Sequence, residues 1–210
     1  MKNFLAIDTS SEYLTIVASQ NGQEVVLFEE NCAMQHSTKL MPKLAELLRE
    51  NGFSLADFDF FSCVVGAGSF TGLRIGIATI KGFCSAMRKP ALPITTFELM
   101  AYNTRREEEK ILAVIDALHD CYYVAGYEGD TLCYPPAYLT KEEVLRLQKE
   151  GYTLCAFSPL PFENLRVYSP SEGLLDGVKR KAKEGGFGDL VALYIRKSQA
   201  EINLQKGEEK

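Results

Sequence analysis

The sequence predicts an α/β protein made of two similar halves. Along its 210 residues, short apolar segments typical of strands alternate with amphipathic segments typical of helices. A strand that ends in aspartate, followed by a hairpin and a helix, occurs near residue 8 and again near residue 116. This repeated order indicates an internal duplication. We place the boundary in the charged cluster of residues 105–110, which gives halves of residues 1–106 and 107–210.

The first half contains recognisable starts and ends of its elements. NFLAID is a short apolar strand, and Asn21 and Gly22 form a turn pair that predicts a hairpin. The next helix has a stripe of leucines. We expect Ser37 to be its N-cap, Pro42 to lie in its first turn and Gly52 to end it. Two further strands, DFFSCVV and PALPITT, are separated by a glycine-rich turn and a helix, and a shorter helix follows them.

The second half repeats this order with signals of its own. KILAVIDA is predicted as a strand and CYYVAGYEGDTLC as a hairpin. Thr140 and Glu143 have the spacing of a capping box at the start of an amphipathic helix. Two short strands, YTLCAFS and LRVYSP, precede a last helix whose final turns are basic, which suits the negative end of the helix dipole.

Composition and charge limit what the protein can bind. The net charge of −5 is spread along the chain, with 8 basic and 10 acidic side chains in residues 1–100 and 15 and 18 in the rest. Because neither half is basic, tight binding of nucleic acid by this chain alone is not expected. No apolar run approaches the roughly 20 residues that span a bilayer, and Asp8 interrupts any signal-peptide core. We therefore expect a cytoplasmic protein with no membrane contact.

Cysteine and histidine spacing predicts no metal or catalytic centre. The six cysteines occur singly, which favours reduced thiols over a zinc cluster. His36 is followed four residues later by Leu40, so a helical pair of histidine ligands is absent, and His119 stands alone beside an aspartate. No Ser/His/Asp or Cys/His set can be assembled by spacing. We expect neither a bound metal nor a cofactor.

The segment GAGSFTGLRIG, residues 66–76, joins a strand to a helix predicted over residues 71–87, an arrangement that often binds phosphate. A P-loop is excluded because Gly72 is followed by Leu73 and Arg74, where lysine and a hydroxyl residue are required. A dinucleotide turn is disfavoured by the bulk of Phe70 and by the lack of an acidic strand end about 20 residues later. The remaining interpretation is a tight turn with close helix packing. The residues of this turn are Gly66, Gly68, Ser69 and Thr71.

The helix after the turn has two apolar faces instead of one. The first face, which includes Leu73, Ile77 and Ile80, is sufficient to cover a sheet. The second is rich in small residues, which allow close approach of another helix, and an additional apolar face indicates a partner. That partner could be a neighbouring element of the same fold, but we favour a second chain. The residues assigned to this partner face are Gly72, Ile75, Gly76, Thr79 and Phe83.

The sequence resembles the TsaB (YeaZ) family. GAGSFTGLRIG is close to the family signature GPGSFTGLRIG. Other family motifs are matched in order by AIDTS at residues 6–10, HSTKLMPKL at 36–44, DALHDCYYVAGY at 116–127 and LYIRKSQAE at 193–201. The chain departs from the family pattern at Ala67 and Ala192, where the family has proline, and at Leu118, where it has arginine.

The resemblance implies an actin/Hsp70/sugar-kinase-like (ASKHA) fold with two ribonuclease-H-like subdomains. It also implies a non-catalytic scaffold subunit for the synthesis of threonylcarbamoyladenosine in tRNA. Such a subunit pairs with the catalytic subunit TsaD and works with a small ATPase, TsaE. It would meet tRNA only through that complex, and it could form a homodimer when isolated.

Two aspartates leave a second function open. Asp8 and Asp116 end equivalent strands, where the resemblance to actin-like ATPases would place carboxylates facing metal and phosphate. The alternative function is thus an active ATPase or phosphotransferase, with Mg²⁺ held through water between the two carboxylates. We favour the simpler interpretation that Asp8 caps the turn after it. Three basic residues recur every seven positions on the glycine-rich helix, and we interpret them as a solvated face rather than a tRNA contact: Arg74, Lys81 and Arg88.

Overall fold

The computed structural model describes residues 3–103 and 109–196, and ten strands in this part of the chain form two five-stranded sheets. The first sheet contains β1 (Phe4–Asp8), β2 (Leu14–Gln20), β3 (Gln23–Glu29), β4 (Phe60–Val64) and β5 (Ala91–Ile94). The second contains β6 (Lys110–Asp116), β7 (Cys121–Glu128), β8 (Thr131–Thr140), β9 (Thr153–Ala156) and β10 (Arg166–Val167).

The two sheets have the same topology. The strand order is β3-β2-β1-β4-β5 in the first and β8-β7-β6-β9-β10 in the second. In each sheet the first three strands in sequence form an antiparallel meander, and the last two run parallel to the first strand. The shared order confirms the duplication and the predicted actin-like fold class with two ribonuclease-H-like units.

The described helices are α1 (His36–Asn51), α2 (Phe70–Met87), α3 (Thr96–Asn103), α4 (Lys141–Lys149) and α5 (Pro170–Lys183). Helices α1 and α2 cover one face of the first sheet, where the leucine stripe of α1 packs in one core with Leu73 and Ile80 of α2. Helix α4 covers the second sheet, and α3 lies between the two sheets. No helix in residues 3–103 and 109–196 has the length and apolar composition needed to cross a membrane.

Several predicted element ends are confirmed. Asn21 and Gly22 both have positive φ, as the two-residue turn of a hairpin requires. Gly52 ends α1 in the left-handed conformation. The capping box is formed, because the hydroxyl of Thr140 accepts the Glu143 N–H while the Glu143 carboxylate accepts the Thr140 N–H at 2.8 Å.

The start of α1 differs from the prediction. The helix begins at His36, with Gln35 as an N-cap that makes no side-chain bond, so Ser37 lies inside the first turn. Pro42 is in the helix interior rather than the first turn. It lies on the exposed side of the helix, as does Thr38, whose carbonyl loses its intrahelical donor to the proline and can bond water instead.

Helix α5 belongs to the second half by sequence but packs on the first sheet. Its residues Leu174 and Val178 are fully buried, in one core with Phe4 and Phe60 of the first sheet and Leu99 of α3. The predicted division therefore separates the two sheets but not their helices. An amphipathic helix covers either sheet equally well, so its sequence pattern does not indicate this exchange. Most of the charged cluster proposed as the boundary, residues 104–108, lies outside the described residues.

Consecutive cations on α5 bond to acids from three different elements. Lys179 pairs with Glu24 of β3 at 2.7 Å, and Lys181 pairs with Glu98 of α3 at 2.6 Å. Arg180 pairs with Asp130, in the turn between β7 and β8. Helix α5 thus has ion pairs with both halves of the chain.

We expect a fragment of residues 1–106 to lack a cooperative unfolding transition, because its sheet would expose the face that α5 covers. In the full chain, Leu174→Ala should lower the free energy of unfolding by about 2–5 kcal/mol. The exposed neighbour Asp176→Ala should change it by about 0.5 kcal/mol or less. Urea titrations followed by circular dichroism measure all three. A fragment that unfolds cooperatively with the stability of the full chain would show that the first half does not need α5.

Candidate functional site

A cleft of about 660 Å³ opens between the two sheets, beyond the C-terminal ends of β1 and β6. Such strand ends are where ligands bind in α/β folds. The first sheet contributes the loop after β1, from Ser10 to Glu12, and the second contributes Asp116 at the end of β6. An adjoining cavity of about 270 Å³ shares these walls and extends toward Thr96 of α3.

The glycine-rich turn forms one wall of this cleft and positions the start of α2. Ser69 is the N-cap, since its hydroxyl accepts the Gly72 N–H at 3.3 Å. The Ser69 N–H in turn donates to the carbonyl of Ser10 at 2.6 Å. Gly68, Ser69 and Thr71 line the cleft, whereas Gly66 is buried next to Leu193.

The glycines of the turn allow main chain to pack on main chain. A Cβ atom at Gly68 would overlap the carbonyl of Ser10, and one at Gly72 would overlap the carbonyl of Thr9. A Cβ atom at Gly76 would lie 2.5 Å from Thr9 Oγ1. The hydroxyl of Thr9 donates to the Gly72 carbonyl at 2.8 Å, which closes this contact. Helix α2 therefore starts directly on the end of β1.

The predicted partner face of α2 is wrong at its two glycines. Gly72 and Gly76 are buried against β1 of the same chain, so they cannot contact a second chain. Phe83 also packs inward, on Phe61, with ring centroids 5.7 Å apart. Small residues permit close approach of any backbone, and here the backbone that approaches is a strand end.

The exposed side of α2 lies about 60° around the helix from the predicted centre. Ala78, Gly82 and Ala86 are exposed, and Ile75 and Thr79 beside them are half-buried. A Cβ atom at Gly82 would have no neighbour within 4 Å. We call these five residues the outer face of α2. Ile75 and Thr79 belong to the predicted set; the other three were missed, although their helical spacing places them on one stripe.

Asp8 is fully buried and caps the turn after β1. One of its carboxylate oxygens accepts the Ser10 N–H at 2.8 Å, and the other has no hydrogen-bond partner among the described residues. Burial raises the pKa of the Asp8 carboxyl above its usual value, and hydrogen bonds from Ser10 partly oppose that shift. Asp8 does not line either cavity.

Asp116 makes the same turn in the second half. Its carboxylate accepts the Leu118 N–H at 2.8 Å, two residues on, as Asp8 does with Ser10. Asp116 is exposed and lines the cleft, so the two aspartates do not face one another across it. Leu118 is exposed at the cleft rim with a left-handed backbone.

The electrostatics of the cleft are unfavourable for phosphate. Among the described residues that line it, Glu12 and Asp116 are acidic and none is lysine or arginine. Oligophosphates are held by cationic side chains, by metal ions or by glycine-rich backbone amides. Here the amides of Ser69 and Gly72 are already bonded to Ser10 and to the N-cap.

The two histidines lie on different elements, and one is buried while the other is exposed. His36 is buried, and its Nε2 lies 2.9 Å from the carbonyl oxygen of Tyr13, to which it donates. Burial raises the pKa of the Tyr13 hydroxyl well above its ordinary value. His119 is exposed in the turn between β6 and β7. Within residues 3–103 and 109–196, no three His, Cys, Asp or Glu side chains are grouped to hold a metal ion.

Arg74, the first residue of the basic strip, holds the C-terminal segment against α2. Its guanidinium lies 3.8 Å from the ring centroid of Phe70, and its Nε donates to the Tyr194 hydroxyl at 3.2 Å. Tyr194 stacks on Phe70 with centroids 4.7 Å apart. Lys81 and Arg88 are exposed, as a solvated face requires.

Comparisons with known proteins relate this chain to tRNA modification proteins. The family model described as TsaD, tRNA N6-adenosine threonylcarbamoyltransferase, matches residues 28–157. The tRNA threonylcarbamoyladenosine biosynthesis protein TsaB of Escherichia coli (strain K12) is 33% identical over 128 residues, which cover 60% of this chain and 55% of that protein. TsaB of Bacillus subtilis (strain 168) is 27% identical over 124 residues, with 59% and 54% covered. The chain thus spans about half the length of the curated relatives it matches.

A solved structure extends the likeness over both sheets. YeaZ from Pseudomonas aeruginosa superposes with a TM-score of 0.78 at 26% identity, covering 92% of this chain and 100% of that chain.

Alanine substitution at two glycines of α2 should have opposite effects. Gly72→Ala should lower the free energy of unfolding by about 3 kcal/mol or more, because its Cβ overlaps a backbone carbonyl that cannot move aside. Gly82→Ala has open space and should raise it by about 1 kcal/mol through helix propensity. Urea denaturation measures both. Equal effects at the two positions would contradict the packing of α2 on β1.

Asp8→Asn should stabilise the protein at neutral pH and less so in acid. Because the pKa of Asp8 is higher in the folded chain than in the unfolded chain, the carboxyl ionises at a lower pH when the chain is unfolded. The free-energy cost of burying the charge therefore begins as the pH rises above about 3.9, and it is fully present above the pKa of the folded state. Asparagine keeps the acceptor for Ser10 without the charge. Urea denaturation at about pH 4 and at about pH 7.5 tests this linkage. A variant that is less stable than the parent at neutral pH would show that the buried carboxylate is favourable.

Proposed function

The chain belongs to the TsaB (YeaZ) family, and on that premise we propose that it is a non-catalytic scaffold subunit in the synthesis of threonylcarbamoyladenosine in tRNA. In this proposal it pairs with a TsaD-type catalytic subunit and works with a TsaE-type ATPase in the cytoplasm. It meets tRNA only within that assembly. The observation that carries the proposal is the outer face of α2, which no described part of the chain covers.

The outer face has the properties of a helix-packing surface. Its five residues fall within about 100° of the helix circumference, and none of them is charged. Ala78, Gly82 and Ala86 have small side chains that let another helix approach to about 8 Å between axes. Ile75 is half-buried and gives this stripe an apolar end next to the cleft. A surface of this kind gains most from burial against a second protein.

The cleft supports a subunit role rather than the ATPase alternative. An actin-like phosphotransferase needs a carboxylate that faces the metal and the phosphates. Asp8 is instead buried beneath the turn and bonded to Ser10, outside the cleft lining. The carboxylates that do line the cleft, Glu12 and Asp116, have no lysine or arginine beside them in the described lining to balance a phosphate chain.

Ala78→Arg tests the interface. Because Ala78 is exposed, the variant should keep the parent's free energy of unfolding to about 0.5 kcal/mol. Its affinity for the TsaD-type subunit of the same cell should fall by about a hundredfold, close to 2.7 kcal/mol, since the long charged side chain holds the helices apart. Ala45→Arg, exposed on the neighbouring helix α1, is the matched control. Isothermal titration gives both affinities.

The outcomes separate the parts of the proposal. If the unsubstituted chain does not bind the catalytic subunit, the pairing itself is wrong. If it binds and Ala78→Arg binds equally well, pairing uses another surface. Sedimentation of the isolated chain, with and without the substitution, shows whether the same face forms a homodimer when the partner is absent.

A further inference from the structure

The outer face of α2 has a basic border along one side. Arg74, Lys81 and Arg88 are seven residues apart, so they fall within about 40° of the helix circumference, next to Ala78 at the edge of that face. All three are exposed to solvent in the isolated chain. We call these three residues the basic strip. When a partner covers the outer face, the basic strip lies at the rim of the interface.

The charge of this strip is not balanced within the chain. Residues 70–89 contain four cations and no aspartate or glutamate, although acids outnumber bases in the whole chain by 28 to 23. Arg74 is held by Phe70 and Tyr194. Lys81 and Arg88 form no ion pair with any acid in residues 3–103 and 109–196. Two cations beside the outer face are therefore available to a partner.

The basic strip has the position that determines partner choice between packed helices. In such pairs, heptad positions a and d fill the seam, while e and g border it and form ion pairs between the helices. The seven-residue spacing places the whole strip at position g. The outer face then supplies the seam and the opposite border, with Ile75 and Gly82 at a, Ala78 at d, and Thr79 and Ala86 at e. One border of the seam is cationic and the other is neutral.

A second copy of this chain is a poor match for that arrangement. Two antiparallel copies of α2 would place position g against g, so cations would face cations. Two parallel copies would place g against e, where Thr79 and Ala86 offer no negative charge. Like charges that face each other across an interface cost free energy. The basic strip therefore disfavours self-association through this face.

We propose that the basic strip selects the partner, because the helix that packs on the outer face of α2 carries acidic side chains along the border that faces Lys81 and Arg88. This inference rests on the proposed pairing with a TsaD-type subunit and adds the chemistry of the partner's helix. The small residues of the outer face allow the close packing, and the two free cations attract the partner. Charges at the rim of an interface act mainly on the association rate constant.

Charge reversal tests the strip. Lys81→Glu/Arg88→Glu should weaken binding to the TsaD-type subunit of the same cell by at least about tenfold at about 0.1 M NaCl, mainly through slower association. At about 1 M NaCl the difference from the parent should fall to about twofold or less, because the Debye length shortens from about 10 Å to about 3 Å. Surface plasmon resonance measures both rate constants. Ala78→Arg, which overpacks the seam, should instead raise mainly the dissociation rate constant, at both salt concentrations.

Matched variants separate charge from folding. Lys149→Glu makes the same charge change at the exposed end of α4 and should bind as the parent does. Lys81→Arg/Arg88→Lys keeps both charges and should also bind as the parent does. Arg88 is the C-cap of α2 with a left-handed backbone, so urea denaturation checks the charge-reversed chain. Lys81→Glu alone, inside the helix, should weaken binding about threefold and tests the strip even if the double variant is unstable.

The outcomes distinguish the acidic partner from the pairing itself. If Ala78→Arg weakens binding but the folded charge-reversed chain binds as tightly as the parent, the partner helix is not acidic and only this inference is wrong. A loss that is equal at both salt concentrations overturns it too, because screening would then have no effect. If Ala78→Arg also binds as the parent does, the outer face is not the interface and both proposals are wrong.

The isolated chain gives a test that needs no partner. It should remain monomeric in sedimentation at about 0.1 M NaCl, because the cations of two copies repel each other. A dimer at this salt concentration that Lys81→Glu weakens would show that the basic strip binds acids of a second copy, which overturns the inference.

Discussion

Helix α2 starts on the end of β1 with no side chain between the two backbones, and much of the molecule depends on that contact. The Thr9 hydroxyl and the Ser10 carbonyl bond directly to the glycine-rich turn. The contact fixes the direction of α2 across the first sheet, which in turn sets the side of the helix that remains exposed. It also places Arg74 where it holds the C-terminal segment through Tyr194. The glycines therefore serve the position of a helix, and a nucleotide is not needed to explain them.

The parts of the fold that follow from local rules were predictable. The hairpin at Asn21 and the capping box at Thr140 depend on neighbours in sequence, and both are formed. The sheet that α5 covers depends on distant residues, so its apolar stripe could not indicate it. Pro42 is expected in the first turn of α1 but lies in its interior, because water on the exposed side of the helix can bond the carbonyl that the proline leaves without a donor. The sequence does not show which side of α1 is exposed.

In the candidate site, too, the sequence does not show which distant residues pack together. Periodicity gives the angle of a residue around a helix, but it does not show what lies beyond that face. Gly72 and Gly76 face a strand end, while the exposed stripe is centred on Ala78 and Gly82. Asp8 lies at a strand end, as the sequence predicts, and its burial determines its role. The carboxylate that could have faced a metal is enclosed by the turn that it caps.

The placement of α5 bears on how the two halves can move. The buried side chains of Leu174 and Val178 hold this helix to the first sheet, while the chain before it belongs to the second. Exposed ion pairs such as Arg180 with Asp130 each add little, about 0–1 kcal/mol, so the packing dominates. Rotation of one half against the other would have to strip α5 from its core or stretch the segment that leads into it. Helix α5 therefore opposes rotation of one sheet against the other, and it keeps the outer face of α2 in one position relative to the second sheet.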